Sequence, residues 1–194
     1  MLLLTRIFSI VITVMTALWP VILYLAYNGQ WLYEAIAFML LLIAIRLGLL
    51  LYARDRSSSR RLIVIAIAGG SLCSAALLTK SLTPALWYPV AVNASLLLIF
   101  GLSLFKGMPM IERLARLKEP HLDQHGVAYT RKVTIVWCCF FAINGAIAVF
   151  TVLKNDIFLW GLYNGCISYV LIGVLFVTEF IVRYFVRKRN NLSK

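Results

Sequence analysis

Lys132-Val-Thr-Ile-Val-Trp137-Cys-Cys-Phe-Phe-Ala-Ile-Asn144-Gly-Ala-Ile-Ala-Val-Phe-Thr-Val-Leu153 decides the fold. From Val133 to Leu153 it runs twenty-one residues without a charged side chain. A helix of about 20 apolar residues is what crossing the hydrocarbon layer of a bilayer requires. Working outward, comparable runs occupy 7–27, 31–53, 62–79, 85–105 and 158–182. No period-two alternation points to a barrel, and backbone groups in lipid must bond within their own segment, so all of these runs are expected as helices. The expected fold is all-α: a polytopic membrane protein, one transmembrane domain over 1–194, with six spans arranged as three hairpins.

Composition agrees. The chain has 194 residues, 62% hydrophobic and 13% charged, with a mean hydropathy of +0.91. A soluble domain carries about twice that charge fraction. The start, Met1 to Arg6 followed by an apolar run, has the outline of a signal peptide, but Trp19-Pro20 stands where small residues would mark a cleavage site. The run also continues to Tyr27, so it reads as an uncleaved first span.

The net charge of +12 raises the question of nucleic acid, and the distribution of the charge answers it. With the N-terminus inside, cytoplasmic regions hold Arg6, Arg54, Arg56, Arg60, Arg61, Lys106, Arg113, Arg116, Lys118, Arg131, Lys132, Arg183, Arg187, Lys188, Arg189 and Lys194, sixteen of the nineteen cationic residues. External connections hold only Lys80 and Lys154, and Arg46 lies inside a span. This is the positive-inside asymmetry, and it sets both termini in the cytoplasm with no nucleic-acid partner. Tyr27, Trp31, Tyr33, Trp87, Tyr88, Phe158 and Trp160 gather at the outer boundary, and Tyr52, Trp137, Tyr184 and Phe185 nearer the inner one, as amphipathic rings do.

The long connection, 106–132, is cytoplasmic. Pro109 to Lys118 opens with proline and is closed by Pro120, with Met110, Leu114 and Leu117 on one face. It reads as a short interfacial helix whose Arg113, Arg116 and Lys118 meet anionic headgroups, or as a helix packed under the bundle. His121 and His125 flank Asp123 in what reads as loop; no third strong ligand is near, and no metal is expected. Cys73, Cys138, Cys139 and Cys166 sit in apolar runs, at no metal-binding spacing, as small packing residues.

Ionisable groups within spans are costly and mark function by default. Arg46 lies about 10 Å from the inner boundary at 1.5 Å per residue, within snorkelling reach, with a role toward an anionic lipid or substrate as the alternative. Glu179 has Arg183 one turn later as a partner. Glu34 is at the other side of the membrane, so the two carboxylates cannot pair. Asn93, Asn144 and Asn164 fall at depths of about 12, 13 and 9 Å from the outer boundary, which allows a hydrogen-bonded cluster between three helices. Polar glue is the first reading and a binding site the second. Gly161-Leu-Tyr-Asn-Gly165 is a GxxxG, and Gly69-Gly70-Ser71 gives span 3 a small face; both permit close packing and leave a homo-oligomer open. No catalytic constellation and no cofactor motif occurs.

Several segments carry a resemblance. Pro20 in the first span, Trp87-Tyr-Pro89 entering the fourth, Lys106-Gly-Met-Pro-Met-Ile-Glu-Arg113 after it, and Lys132-Val-Thr-Ile-Val-Trp137-Cys-Cys-Phe-Phe141 with Gly145 resemble, in order and spacing, the bacterial intracellular septation protein A family. The chain departs from that family at Tyr88, Val90, Thr134 and Ala148, mostly where the family has polar residues, and so resembles a diverged branch. Glu112 to Pro120 and Tyr129 to Thr134 are closer still to uncharacterised proteobacterial inner-membrane proteins, some encoded beside polyene or fatty-acyl biosynthesis genes. The resemblance implies a bacterial inner-membrane setting and a link to cell-envelope integrity and division, with no catalytic residue to carry over. The expected function is therefore a non-catalytic accessory protein that supports the envelope or membrane homeostasis through lipids and other inner-membrane proteins. The alternative is a small transporter or flippase for a lipid or acyl product.

Overall fold

The computed structural model describes residues 12, 14–52, 56–117 and 119–192, with side chains described for all of these except 50–52, 56–62, 64 and 187–192. Arg6, Arg54, Lys118, Lys194 and most of the first turns of span 1 lie outside the described residues. Among those described, every element is helical. They are α1 (Trp19–Asn28), α2 (Leu32–Tyr52), α3 (Arg56–Thr79), α4 (Thr83–Leu86), α5 (Tyr88–Phe105), α6 (Met110–Arg116), α7 (Gln124–Leu153), α8 (Ile157–Leu162) and α9 (Ser168–Leu192), with a π-helical turn, Tyr163–Ile167, joining α8 to α9.

Among the described residues, four segments are long and apolar enough to cross a membrane: Leu32–Leu49, Thr83–Phe105, Gln124–Leu153 and Ile157–Val186. Ile65–Thr79 is a shorter apolar helix. The helix that carries span 2 covers Leu32–Tyr52, and the helix that carries span 5 starts at Gln124, ahead of residue 133. The reason is local. Asp123 accepts a hydrogen bond from the Gly126 amide at 2.8 Å and so caps the helix ahead of the basic pair Arg131-Lys132. His125 thus sits in a helical first turn, not in the expected loop. Asp156 caps α8 in the same way through the amides of Phe158 and Leu159.

Each short connection turns on one left-handed residue: Gln30 at φ 62°, Lys80 at φ 50° and Asn155 at φ 53°. All three lie on the expected outer side, where the turn must reverse a helix within a few residues. The most extensively packed helix pairs, however, are α2 with α3 and α5 with α7, which flank the 53–55 and 106–123 connections rather than these tight turns. Two apolar clusters result. One gathers Trp19, Leu23, Ile36, Met39, Cys73, Ala85 and Trp160; the other packs Val133, Trp137 and Phe141 against Phe100, Ile172 and Leu175.

The small residues are used within the chain. A Cβ at Gly161 would stand 2.5 Å from the Tyr24 ring and one at Gly165 would stand 3.3 Å from Val21, so the GxxxG seats α1. Gly69 makes room for the Tyr88 ring in the same way. Of the cysteines, Cys73 is a buried packing residue as expected, whereas Cys139 and Cys166 face outward from the bundle.

Candidate functional site

Between the two clusters lies a partly open cavity of about 290 Å³. Residues of both wall it, Ile43, Ala66 and Tyr88 from the first and Phe141 from the second. Arg46, Asn93, Asn144 and Asn164 all line it. Sequence reasoning placed the arginine toward the inner side and the asparagines toward the outer; the bundle joins them around one space.

The asparagines form two connected groups. Asn144 donates to the Asn93 side-chain oxygen at 3.0 Å, and Asn93 donates to the Pro89 carbonyl at 2.8 Å. The Asn144 oxygen accepts from Tyr163 at 2.9 Å and from Ser168 at 3.1 Å, which ties α5, α7 and the start of α9 together. Asn164 is held separately. Its amide donates to the Thr151 hydroxyl at 3.0 Å and to the Trp160 carbonyl at 2.9 Å. Tyr163 and Asn164 both belong to the π-helical turn, a geometry that recurs at functional sites because it re-aims side chains by one extra residue.

A second polar feature was not read from the sequence. Pro20 has no N–H to give the Thr16 carbonyl four residues earlier, and the Val21 amide turns to Leu18 at 3.0 Å instead of to Ala17. Two carbonyls are thereby released inside an apolar bundle. Tyr88 donates to Thr16 at 3.4 Å, and Tyr169 donates to Ala17. Both tyrosines line the cavity. The signal was present, a mid-span proline with one tyrosine at a span's outer end and one within a span, but only the tertiary pairing says which tyrosine serves which carbonyl.

Arg46 is half-buried and turned to the cavity. Glu179 and Arg183 do not form the expected ion pair among the described residues; instead the Glu179 carbonyl accepts from Tyr129 at 3.3 Å. The ion pair that does form joins Arg116 to the largely buried Glu112 at 2.8 Å. It belongs to α6, whose N-terminus is fixed by Ser103 bonding the Met110 amide at 2.9 Å. Arg113 bonds the Met108 carbonyl at 3.0 Å, and Arg116 also bonds Pro120 at 3.0 Å. Two of the three expected headgroup contacts, Arg113 and Arg116, are thus engaged in holding their own loop. Glu112 and Ala115 face the bundle, while Leu114 and Leu117 are exposed. Among the described residues no group of three potential metal ligands comes together.

Compared with protein-family models, curated proteins and solved structures, the chain matches none.

Proposed function

We propose that this chain is a six-span inner-membrane protein, with both termini cytoplasmic, that binds an amphipathic lipid or acyl molecule inside its bundle and moves it between leaflets. The observation that carries the reading is the cavity, because it gathers the three asparagines and the one arginine of the spans around a single space. A bundle held by polar glue alone has no use for such a space, since voids cost packing energy. The walls are largely apolar, with Ile43, Leu96, Phe141 and Ile172 among them, which suits a hydrocarbon segment beside a polar head. Its volume is roughly twice that of a ~150 Å³ cavity able to hold benzene, enough for a head and a short length of chain. The charge distribution supports the orientation, and the resemblance supports a bacterial inner membrane.

The test is lipid movement in proteoliposomes carrying the purified chain and a trace of lysophospholipid labelled with nitrobenzoxadiazole on its acyl chain. Dithionite added outside bleaches the outer leaflet in protein-free vesicles and continues beyond it when the chain is present. Bleaching that halts at the outer-leaflet fraction in both would refute the reading.

An accessory role through contacts with other membrane proteins is the second reading. Ile157–Val186 is the least buried of the four long segments: in its apolar 18-residue stretch only 6% of the residues are buried, against 22–28% in those of the other three, and it leaves Val174, Val177 and Phe180 exposed as a face for a partner helix.

A further inference from the structure

We infer that the cavity selects an anionic head: the occupant is an amphiphile with a compact acid group, carboxylate or phosphate ester, set at Arg46, and an apolar body of about a dozen heavy atoms lying toward Leu96, Phe141 and Ile172. The inference deepens the lipid-handling reading above and rests on it.

Charge is the first argument. Among the described residues that line the cavity, Arg46 is the charged side chain, and none of them is Asp or Glu. A guanidinium presents five N–H donors in a planar fork, so it can engage an acid group alongside its contacts within the protein. A cationic head would meet the repulsion of the guanidinium there. In a low-dielectric interior that difference is large.

The second argument is the donor balance. The Asn93 oxygen is occupied by Asn144, and the Asn144 oxygen is occupied twice, by Tyr163 and Ser168. Each of these two amides has donated one N–H, Asn93 to Pro89 and Asn144 to Asn93, and an amide carries two. What Asn144 has left for a ligand is therefore N–H, while Asn93 keeps one N–H and one lone pair of its oxygen. The hydroxyl protons of Tyr88 and Tyr169 are committed to the carbonyls of Thr16 and Ala17. Acceptors remain at the Asn164 and tyrosine oxygens, but the strongest groups facing the space, the guanidinium and two amide N–H, are donors. Oxygen-rich anions are what such a wall recognises.

The experiment is saturation binding of tritiated decanoate and tritiated decanol to the full-length chain in detergent, read by scintillation proximity. Octyl phosphate as competitor separates a carboxylate source from a phosphate source, and displacement by either acid supports the inference. Decanoate should bind saturably, at least about tenfold more tightly than decanol. Arg46→Gln should bring decanoate down to the level of decanol, and Arg46→Lys should restore part of the preference. Ala66→Phe, which fills the cavity, should abolish binding of both. Equal affinity of decanol and decanoate, or a preference for decanoate that survives Arg46→Gln, would overturn the anionic-head assignment and leave the cavity reading standing. Saturable binding unaffected by Ala66→Phe, or none of the probes binding at all, would overturn both. Each variant is compared only as a monodisperse peak at the wild-type elution volume, and Arg46→Met stands in should Arg46→Gln aggregate.

Discussion

The side-chain amide of Asn144 donates to Asn93 at 3.0 Å across an interface so close that a methyl group added at the neighbouring Gly145 would stand 3.2 Å from the Asn93 Cβ. The hydrogen bond and the small residue depend on each other, because only a helix approach without a side chain at 145 brings the two amides into reach. Removing Asn144 leaves Asn93, Tyr163 and Ser168 each short of a partner. Asn144→Ala should cost about 1–2 kcal/mol of unfolding free energy, and Asn93→Ala about as much or less. Because the two share one bond, the double variant should cost less than the two single costs added, by about 0.6–2 kcal/mol. Reversible unfolding in mixed micelles measures the cycle, and strict additivity would show that the pair is not energetically joined.

Two tryptophans give a controlled comparison of a satisfied and an unsatisfied N–H. Trp160 and Trp19 are both fully buried, 1% exposed each. The Trp160 indole donates to the Leu86 carbonyl at 3.0 Å, whereas the Trp19 indole nitrogen has no partner among the described residues. Replacing each by Phe removes the same volume. Trp160→Phe should therefore be the more destabilising by about 1–2 kcal/mol, since it also orphans a carbonyl, while Trp19→Phe relieves a desolvated donor. Thermal unfolding followed by tryptophan fluorescence, one variant at a time, reads the difference. Equal shifts would mean that the indole of Trp19 is satisfied in solution.

The proposed six-span arrangement predicts a pattern of side accessibility. With the four native cysteines replaced by serine or alanine, single cysteines at Lys80 and Lys154 should react with a membrane-impermeant maleimide in intact spheroplasts, and cysteines at His121 and Lys106 only after lysis. All four positions fall in connections between helices, Lys80 and Lys154 at the tight turns and Lys106 and His121 flanking α6. Labelling of His121 in intact cells, or protection of Lys154, would remove the N-in, C-in assignment while leaving the helical bundle untouched.

Much of this bundle was legible because its signals are cumulative. Twenty consecutive apolar residues and a one-sided distribution of Lys and Arg are summed over many positions, so the long helices and their turns could be placed from the chain alone. The asparagines were legible as a group for the same reason, their depth following from the rise per residue. What the chain did not disclose was azimuth. Whether Arg46 snorkels or turns inward depends on which neighbours surround α2, and the composition of α2, apolar on every side, does not fix a face. Leu114 and Leu117 show the converse: their spacing marked an apolar stripe correctly, but the buried face of α6 is the one with Glu112 and Ala115, because an ion pair to Arg116 makes a carboxylate tolerable there. The expected partnership of Glu179 and Arg183 failed on the same ground, since residues one turn apart on a solvent-side or headgroup-side helix need not hold each other.

Pro20 and Tyr88 allow the last relationship to be separated from ordinary packing. The proline deprives the Thr16 carbonyl of its helical donor, and the Tyr88 hydroxyl at 3.4 Å takes that place. Tyr88→Phe keeps the ring against Gly69 and Trp19 but removes that donor from the carbonyl, at a cost of about 1–2 kcal/mol. Pro20→Ala supplies a backbone N–H that closes the helical bond to Thr16, which makes the hydroxyl redundant. In the Pro20→Ala background the cost of Tyr88→Phe should therefore fall to within about 0.5 kcal/mol of zero. The same reasoning applies to Tyr169 and Ala17 through the Val21 amide, which regains Ala17 once the helix is continuous. Unfolding free energies of the four combinations decide the matter. A cost for Tyr88→Phe that is the same with and without the proline would mean that the tyrosine acts through its ring and through the wall of the cavity, and that the released carbonyl is satisfied by water instead.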